Sequence, residues 1–103
     1  MIFRRRFSAV ISRQLDLFAT DEAALLVEVR EAERTYNRAD REDAEEMYGD
    51  YVDVVETATE ALADMRDRYK RTLDEESAEE YDAAFNRAVK RRWPPFGLEI
   101  ENR

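Results

Sequence analysis

The feature that most constrains this chain is a continuous apolar stripe between Asp40 and Leu73. Apolar or small residues recur there at steps of three and four, the spacing that places side chains on one face of an α-helix. They are Ala44, Tyr48, Tyr51, Val55, Ala58, Leu62, Met65, Tyr69 and Leu73. A helix over the whole stretch would be about 50 Å long, at a rise of about 1.5 Å per residue. We therefore expect one long helix whose apolar face is covered by the segments before and after it.

The fold class follows from the scarcity of turn-forming residues. The first 93 residues contain one glycine and no proline, and tight β-turns need such residues. The chain has 103 residues, the size of one domain. The sequence therefore predicts an all-α protein. We assign residues 1–93 to a single helical domain and residues 94–103 to a C-terminal tail that packs on the domain or on a partner.

A second apolar stripe runs through residues 2–38. Its members are Phe3, Phe7, Ile11, Leu15, Phe18, Leu25, Val29, Ala32 and Tyr36. Thr20, followed by Asp21 and Glu22, has the character of an N-cap that starts a new helix. The stripe nevertheless keeps its phase across this point. One long helix, kinked near Thr20, is therefore favoured over two short ones.

A turn at residues 37–40 separates the two stripes, and Asp40 is the candidate N-cap of the second helix. So short a connection makes the helices antiparallel. In the resulting hairpin of coiled-coil type, paired residue numbers sum to about 80. This register places Ala32 opposite Tyr48 and Leu25 opposite Val55. Small residues then face large ones, as close packing requires.

The central helix is expected to end in a cationic segment that complements its C-terminal carbonyl groups. These cations are Arg66, Arg68, Lys70 and Arg71. A third, shorter helix would start near Ser77, whose spacing from Glu80 fits a capping box, and would end at Arg92, before two prolines. Folding back after the second helix sets Tyr81 near Tyr69.

The expected array is thus a long antiparallel hairpin with a shorter third helix, similar to a three-helix bundle, and a short irregular tail. The third helix leaves the turn end of the hairpin uncovered. Either of two covers would bury the apolar side chains there. One is the extended tail at residues 93–100, which is long enough to reach. The other is a second copy of the chain in a symmetric homodimer.

The charge balance limits the partners. There are 25 acidic residues against 17 basic ones, a net charge of −8, which works against binding a polyanion such as nucleic acid. An acid-rich, lysine-poor chain is typical of salt-loving microbes, in whose molar salt the Debye length is about 3 Å. A high-GC genome that encodes an ordinary acidic protein is the other explanation.

Between Asp40 and Asp64 stand ten acids and one base. We interpret them as a solvated helix face rather than a surface for cations.

The composition argues against several kinds of functional site and against several compartments. The chain has no cysteine and no histidine, and histidine is the commonest general base and metal ligand. No run approaches the ~20 apolar residues of a membrane span. The charged start at residues 1–13 imitates a signal peptide, but Ser8, Ser12 and Arg13 interrupt its apolar run. We expect a cytoplasmic protein without a membrane partner, in which residues 4–6, all arginine, pair with the acids at 74–80.

Two pairs of carboxylates suggest an enzymatic alternative. Glu28 with Glu31 and Asp50 with Asp53 have a spacing of three. They resemble the E-x-x-E and E-x-x-D pairs of all-α nucleotide pyrophosphatases such as the MazG-like family, although Asp50 stands where that family has Glu. The resemblance implies that the four carboxylates would hold Mg²⁺ against a nucleoside triphosphate. The same spacing recurs at four other acidic pairs, Asp40/Asp43, Glu42/Glu45, Asp64/Asp67 and Glu79/Asp82.

Two functional hypotheses follow. The leading one is a non-catalytic protein-interaction or scaffold module whose partner is another protein or a second copy of the chain. It assigns no catalytic residue and no cofactor. The alternative is a Mg²⁺-dependent nucleotide pyrophosphatase-like hydrolase that uses Glu28, Glu31, Asp50 and Asp53.

Overall fold

The computed structural model describes residues 6–103. It contains five α-helices, which are α1 (Ser8–Asp21), α2 (Ala23–Arg38), α3 (Ala44–Lys70), α4 (Glu75–Arg92) and α5 (Gly97–Asn102). No strand occurs in this part of the chain, so the all-α prediction is confirmed. The array has five helices where the sequence indicated three. The molecule is a rod of 50 × 24 × 24 Å.

The first helical stretch is divided at Glu22 into two helices, whereas the sequence favoured one long helix kinked near Thr20. The N–H of Glu22 still donates to the carbonyl of Phe18 at 2.8 Å, and the N–H of Leu26 donates to the carbonyl of Glu22 at 3.0 Å. Glu22 itself leaves helical geometry, with φ −111° and ψ 31°. The break allows α1 to pack on α4 while α2 packs on α3.

The central helix α3 begins at Ala44, four residues after Asp40, where the predicted helix began. A turn precedes it, and Asp43 occupies the N-cap position where the sequence indicated Asp40. Because the chain reverses later, the register of the hairpin also shifts. The ring of Tyr48 contacts Tyr36, with centroids 5.2 Å apart, whereas the expected register placed Ala32 there.

The start of α4 is fixed by Asp74 rather than by the expected capping box. The Asp74 carboxylate accepts hydrogen bonds from the backbone N–H of Ser77 at 2.9 Å and from the Ser77 hydroxyl at 3.1 Å. These two bonds, the backbone one first, hold the pKa of Asp74 below its usual value. Ser77 is therefore inside the helix, which starts three residues earlier than Ser77 and Glu80 indicated.

Two other expectations about α4 are confirmed. The helix ends at Arg92, and Tyr81 lies against Tyr69, with ring centroids 4.7 Å apart. The expected pairing of the N-terminal arginines is also found for Arg6, whose Nη1 lies 3.4 Å from Oε1 of Glu80. Phe3, Arg4 and Arg5, for which the sequence made similar predictions, lie outside the described residues.

The C-terminal tail is helical, so the prediction of an irregular segment is wrong. Residues Pro94–Phe96 form a 3-10 turn, and α5 follows directly. Phe96 and Ile100 are 1% and 0% exposed, and the tail packs on α3 and α4. It covers the half of α3 that also contacts α4, not the turn end of the hairpin that an extended tail was expected to reach.

The hydrophobic core therefore lies at one end of the rod. Its most deeply buried side chains come from α1, α3, α4 and the tail, namely Ile11, Leu15, Phe18, Ala58, Leu62, Tyr81, Phe85, Val89, Phe96 and Ile100. At the other end, every residue from 30 to 54 is half-buried or exposed. We call residues 30–54, the turn end of the α2–α3 hairpin, the hairpin tip.

Candidate functional site

The hairpin tip carries a cluster of three tyrosines on a layer of only two helices. The ring of Tyr36 on α2 is stacked with that of Tyr51 on α3, with centroids 6.4 Å apart and planes 9° apart. Tyr36 also contacts Tyr48. Tyr48 is 51% exposed, and Met47 beside it is half-buried. Tyrosine and methionine are enriched in protein interfaces, so this cluster is a candidate contact surface.

Acidic residues surround the tyrosine cluster. The hairpin tip contains nine acidic residues and four arginines, a net charge of −5. All ten acids between Asp40 and Asp64 are exposed, as a solvated face requires. Burial, together with the nearby Glu33 carboxylate, raises the pKa of Tyr51. The tip thus combines an aromatic centre with a negative rim.

The four carboxylates that suggested a hydrolase are on the surface of the hairpin. Glu28 and Glu31 lie on α2, Asp50 and Asp53 lie on α3, and all four are exposed. Among residues 6–103, no three His, Cys, Asp or Glu side chains form a group that could hold a metal ion. The structure therefore does not gather these four side chains into one cluster.

A groove between α1 and α4, which we call the basic groove, was not recognised in the sequence. Its volume is about 430 Å³. Its floor is apolar and includes Ile11 and Leu15 of α1 and Ala84 and Ala88 of α4, and its rims are polar, formed by Ser8, Ser12, Arg87, Arg91 and Arg92. The signal that would have revealed it is local charge, because residues 83–98 contain four cations and no acid in a chain of net charge −8.

Two arginines of the basic groove have no acidic partner. Arg92 donates to Asp16 at 2.7 Å, and its guanidinium lies 4.9 Å from the centroid of the Trp93 ring. Arg87 and Arg91 are exposed and one turn apart on α4. No carboxylate of residues 6–103 lies within 4.0 Å of either guanidinium. The groove therefore offers two unpaired cations beside an apolar floor.

One buried cation has a structural role. Arg66 is 2% exposed, although the sequence indicated only a cation at a helix end. Its Nε donates to Asp67 at 2.9 Å and lies 3.1 Å from Asp82, and its Nη1 donates to Asn86 Oδ1 and to the carbonyl of Ile100, both at 2.9 Å. These partners belong to α3, α4 and α5. Arg66 therefore joins the three helices of the core end.

Two surfaces thus remain as functional candidates, the hairpin tip and the basic groove. Comparisons with protein-family models, with curated proteins and with solved structures find no match to this chain. Within residues 6–103, no helix combines the length and the apolarity that are needed to cross a membrane.

Proposed function

We propose that this protein is a non-catalytic protein-interaction module that binds its partner through the hairpin tip. The observation that supports the proposal is that 25 consecutive residues contain no buried side chain but hold three clustered tyrosines and a methionine. A layer of two helices leaves one side of each helix in water. A partner that covered the aromatic side chains would gain about 25 cal/mol for each Å² of apolar surface removed from water.

The chemistry of the tip indicates the character of the partner surface. Tyr48 offers a large, rigid, partly apolar contact area with a hydroxyl that forms hydrogen bonds at the edge of an interface. The acidic residues around it favour a partner with positive charge beside an apolar patch, because complementary charge accelerates association and excludes wrong partners. Such a partner is another protein or a second copy of the chain.

Photo-crosslinking tests this proposal. A photoreactive amino acid at Tyr48 is expected to form an adduct with the partner in cells that naturally express the protein. The matched control is the same amino acid at Leu98 on α5, which is 75% exposed but lies outside the tip. An adduct found at Tyr48 and not at Leu98 supports the proposal, whether it contains two copies or a second protein. No adduct at either position, or equal adducts at both, contradicts it.

The hydrolase alternative has a separate test. A bound metal or nucleotide raises the unfolding midpoint by mass action. We expect MgCl₂ with a nucleoside triphosphate to leave the midpoint where NaCl of equal ionic strength leaves it. An increase that disappears when Glu28→Gln and Asp50→Asn are combined would favour the hydrolase over the interaction module.

A further inference from the structure

The basic groove is a second uncovered surface, at the core end of the rod. Its two helices run in the same direction, because Phe7 contacts Tyr81 and, further along both chain segments, Asp16 contacts Arg92. All residues that line the groove belong to α1 and α4. The groove therefore follows the line between two parallel helices, and its outer side is open to water.

The lining residues share one face of each helix. Those of α1 are Ser8, Ile11, Ser12 and Leu15, and those of α4 include Ala84, Arg87, Ala88 and Arg91. Both sets have the spacing i, i+3, i+4, i+7, which places all members on the same side of an α-helix. One bound molecule can therefore contact the alanines and the arginines of α4 at the same time.

The shape of the groove fits an α-helix. Its walls include the small side chains of Ser8, Ser12, Ala84 and Ala88, so the space between α1 and α4 stays open for the ridge of a third helix. An extended peptide would bring unpaired backbone N–H and C=O groups into the groove. The lining helices bond their own backbone internally and offer no partners for these groups. A helix brings its backbone already paired.

The charge of the groove selects an acidic ligand. Its lining contains three arginines and no acid, and Arg87 and Arg91 have no carboxylate within 4.0 Å. Because these two are one turn apart, they match carboxylates four residues apart on a bound helix, with which they form charge-assisted hydrogen bonds. The net charge of −8 repels a polyanion, and the apolar floor favours side chains over phosphates.

A second pair of arginines shows what is particular to the groove. Arg30 and Arg34 on α2 are also exposed and four residues apart. The depression beside Arg34, however, is lined by Glu31, Asp40 and Asp43 as well. An acidic ligand would meet like charges there. This pair has the spacing and the exposure of Arg87 and Arg91 without the acid-free surroundings, which makes it a matched control.

We propose that the basic groove binds an acidic amphipathic helix of a partner protein. The helix has two carboxylates four residues apart beside an apolar stripe. The carboxylates pair with Arg87 and Arg91, and the apolar stripe packs on Ala84 and Ala88. This inference goes beyond the proposed function, because it adds a second binding surface of opposite charge at the other end of the rod. The protein then joins an acidic helix at the groove to the partner of the hairpin tip.

Selection from a displayed library of helices tests the inference. Each library member is one helix of a stable coiled coil with its outward face randomised, because short isolated helices are unstable. Parallel selections use the purified full chain, a groove variant with Arg87→Glu and Arg91→Glu, and a control variant with Arg30→Glu and Arg34→Glu. The two variants have the same net charge.

We expect one class of helices to be enriched on the wild-type chain and on the control variant but not on the groove variant. Its members should carry acidic residues four apart beside an apolar stripe. Their affinity for the groove variant should be lower than for the wild-type chain by at least about tenfold. If no such class appears, or if its members bind the groove and control variants equally, the inference is overturned.

Ser12→Trp tests whether the groove itself is required in addition to its charge. Ser12 is exposed on the rim, so a larger ring is tolerated by the fold and fills the groove. The selected helices should bind this variant at least about tenfold more weakly. Ala24→Trp is the control, because Ala24 is exposed on α2 and does not line the groove. Unchanged binding to Ser12→Trp would mean that the helices contact the arginines without entering the groove, and would overturn the inference.

Two further measurements complete the test. Circular dichroism of each variant checks that the helices are retained. Co-sedimentation with vesicles that contain an anionic phospholipid examines a membrane surface as the other source of negative charge. Sedimentation that the groove variant loses, without any groove-dependent class of helices, would assign Arg87 and Arg91 to a membrane and overturn the inference. Crosslinking at Tyr48 tests the hairpin tip separately, so failure at the groove is distinguishable from failure of the proposed function.

Discussion

Arg66 connects three helices through one guanidinium group. Its partners are Asp67, Asp82, Asn86 and the carbonyl of Ile100. Replacing it with alanine leaves the buried acceptors without a donor and opens space at the core. We expect Arg66→Ala to lower the free energy of unfolding by about 3 kcal/mol. Arg66→Lys keeps the charge but loses the forked donor geometry, and losing a hydrogen bond from a charged donor should cost about 2 kcal/mol.

Urea unfolding at neutral pH measures both values. The control is Arg68→Ala, an exposed arginine two residues away on α3, which should change the free energy by no more than about 0.5 kcal/mol. Equal losses at the two positions would show that Arg66 acts only as a helix-end cation, as the sequence indicated, and not as a junction of helices.

We predict that the protein loses stability at high pH because Tyr81 is buried. It is 0% exposed, its hydroxyl donates to Oε1 of Gln14 at 2.7 Å, and burial raises its pKa to about 12. In the unfolded chain the phenol ionises near pH 10. Between these two values the unfolded chain releases a proton that the folded chain keeps, so the free energy of unfolding falls as pH rises, by at most about 3 kcal/mol.

The measurement is the free energy of unfolding from pH 9 to pH 12. Tyr81→Phe should flatten its decline over this range, and it should cost about 1 kcal/mol at neutral pH because the hydrogen bond to Gln14 is lost. A decline that persists in Tyr81→Phe would assign it to other groups.

At the scale of single elements, Gly49 makes α3 less stable than an alanine at that position would. Since a Cβ there meets nothing within 4 Å, Gly49→Ala should raise the free energy of unfolding of the monomer by about 0.5–1 kcal/mol. Gly97→Ala is the comparison, because its Cβ would lie 2.9 Å from Cγ of Lys90 and force that side chain to move. Thermal unfolding of dilute protein measures the effect of each substitution on stability. A stability loss at Gly49 would mean that the glycine is needed within one copy.

The long helical stretches could be predicted from sequence, whereas the break between α1 and α2 was weighed at Thr20 but not favoured. Apolar spacing reports which residues share a face, and this face continues across Glu22. The break also keeps the backbone bonds from Glu22 to Phe18 and from Leu26 to Glu22. A local interruption of this kind leaves the periodicity nearly intact. Its cause is tertiary, because α1 and α2 pack on different helices.

The tail also differs from its prediction, but here the structure is more regular than the sequence indicated. Two consecutive prolines correctly predicted the end of α4 but also suggested an irregular segment. Proline is favourable in a first helical turn, and Pro94 begins the 3-10 turn that leads into α5. An isolated helix of six residues is unstable in water. It is the burial of Phe96 and Ile100 that stabilises α5, and no pattern within the tail reports that burial.

Of the two candidate sites, the sequence predicted the hairpin tip but not the basic groove, for the same reason. The aromatic residues of the hairpin tip belong to the stripe read from sequence, so an uncovered tip was foreseen. The basic groove depends on α1 meeting α4, and the paired residues Asp16 and Arg92 are 76 positions apart. Local spacing carries no information on such a contact. The acidic pairs such as Glu28 with Glu31 arise easily in a chain with 25 acids.

At the scale of the whole molecule, stability is distributed unevenly along the rod. The core end buries side chains from α1, α3, α4 and the tail, and the tip has only α2 against α3. Segments with few buried apolar contacts open locally at a lower free energy than the core. The tip also holds most of the exposed acids between Asp40 and Asp64, whose mutual repulsion opposes a closed hairpin at low salt.

Hydrogen exchange at several salt concentrations tests this distribution on dilute, monomeric protein. Amides of the hairpin tip should exchange well before those near Leu62, which is 0% exposed. Raising NaCl from about 0.05 to about 1 M shortens the Debye length from over 10 Å to about 3 Å. Protection should therefore rise more in the tip than in the core. Uniform protection along α3, unaffected by salt, would refute an electrostatically strained tip.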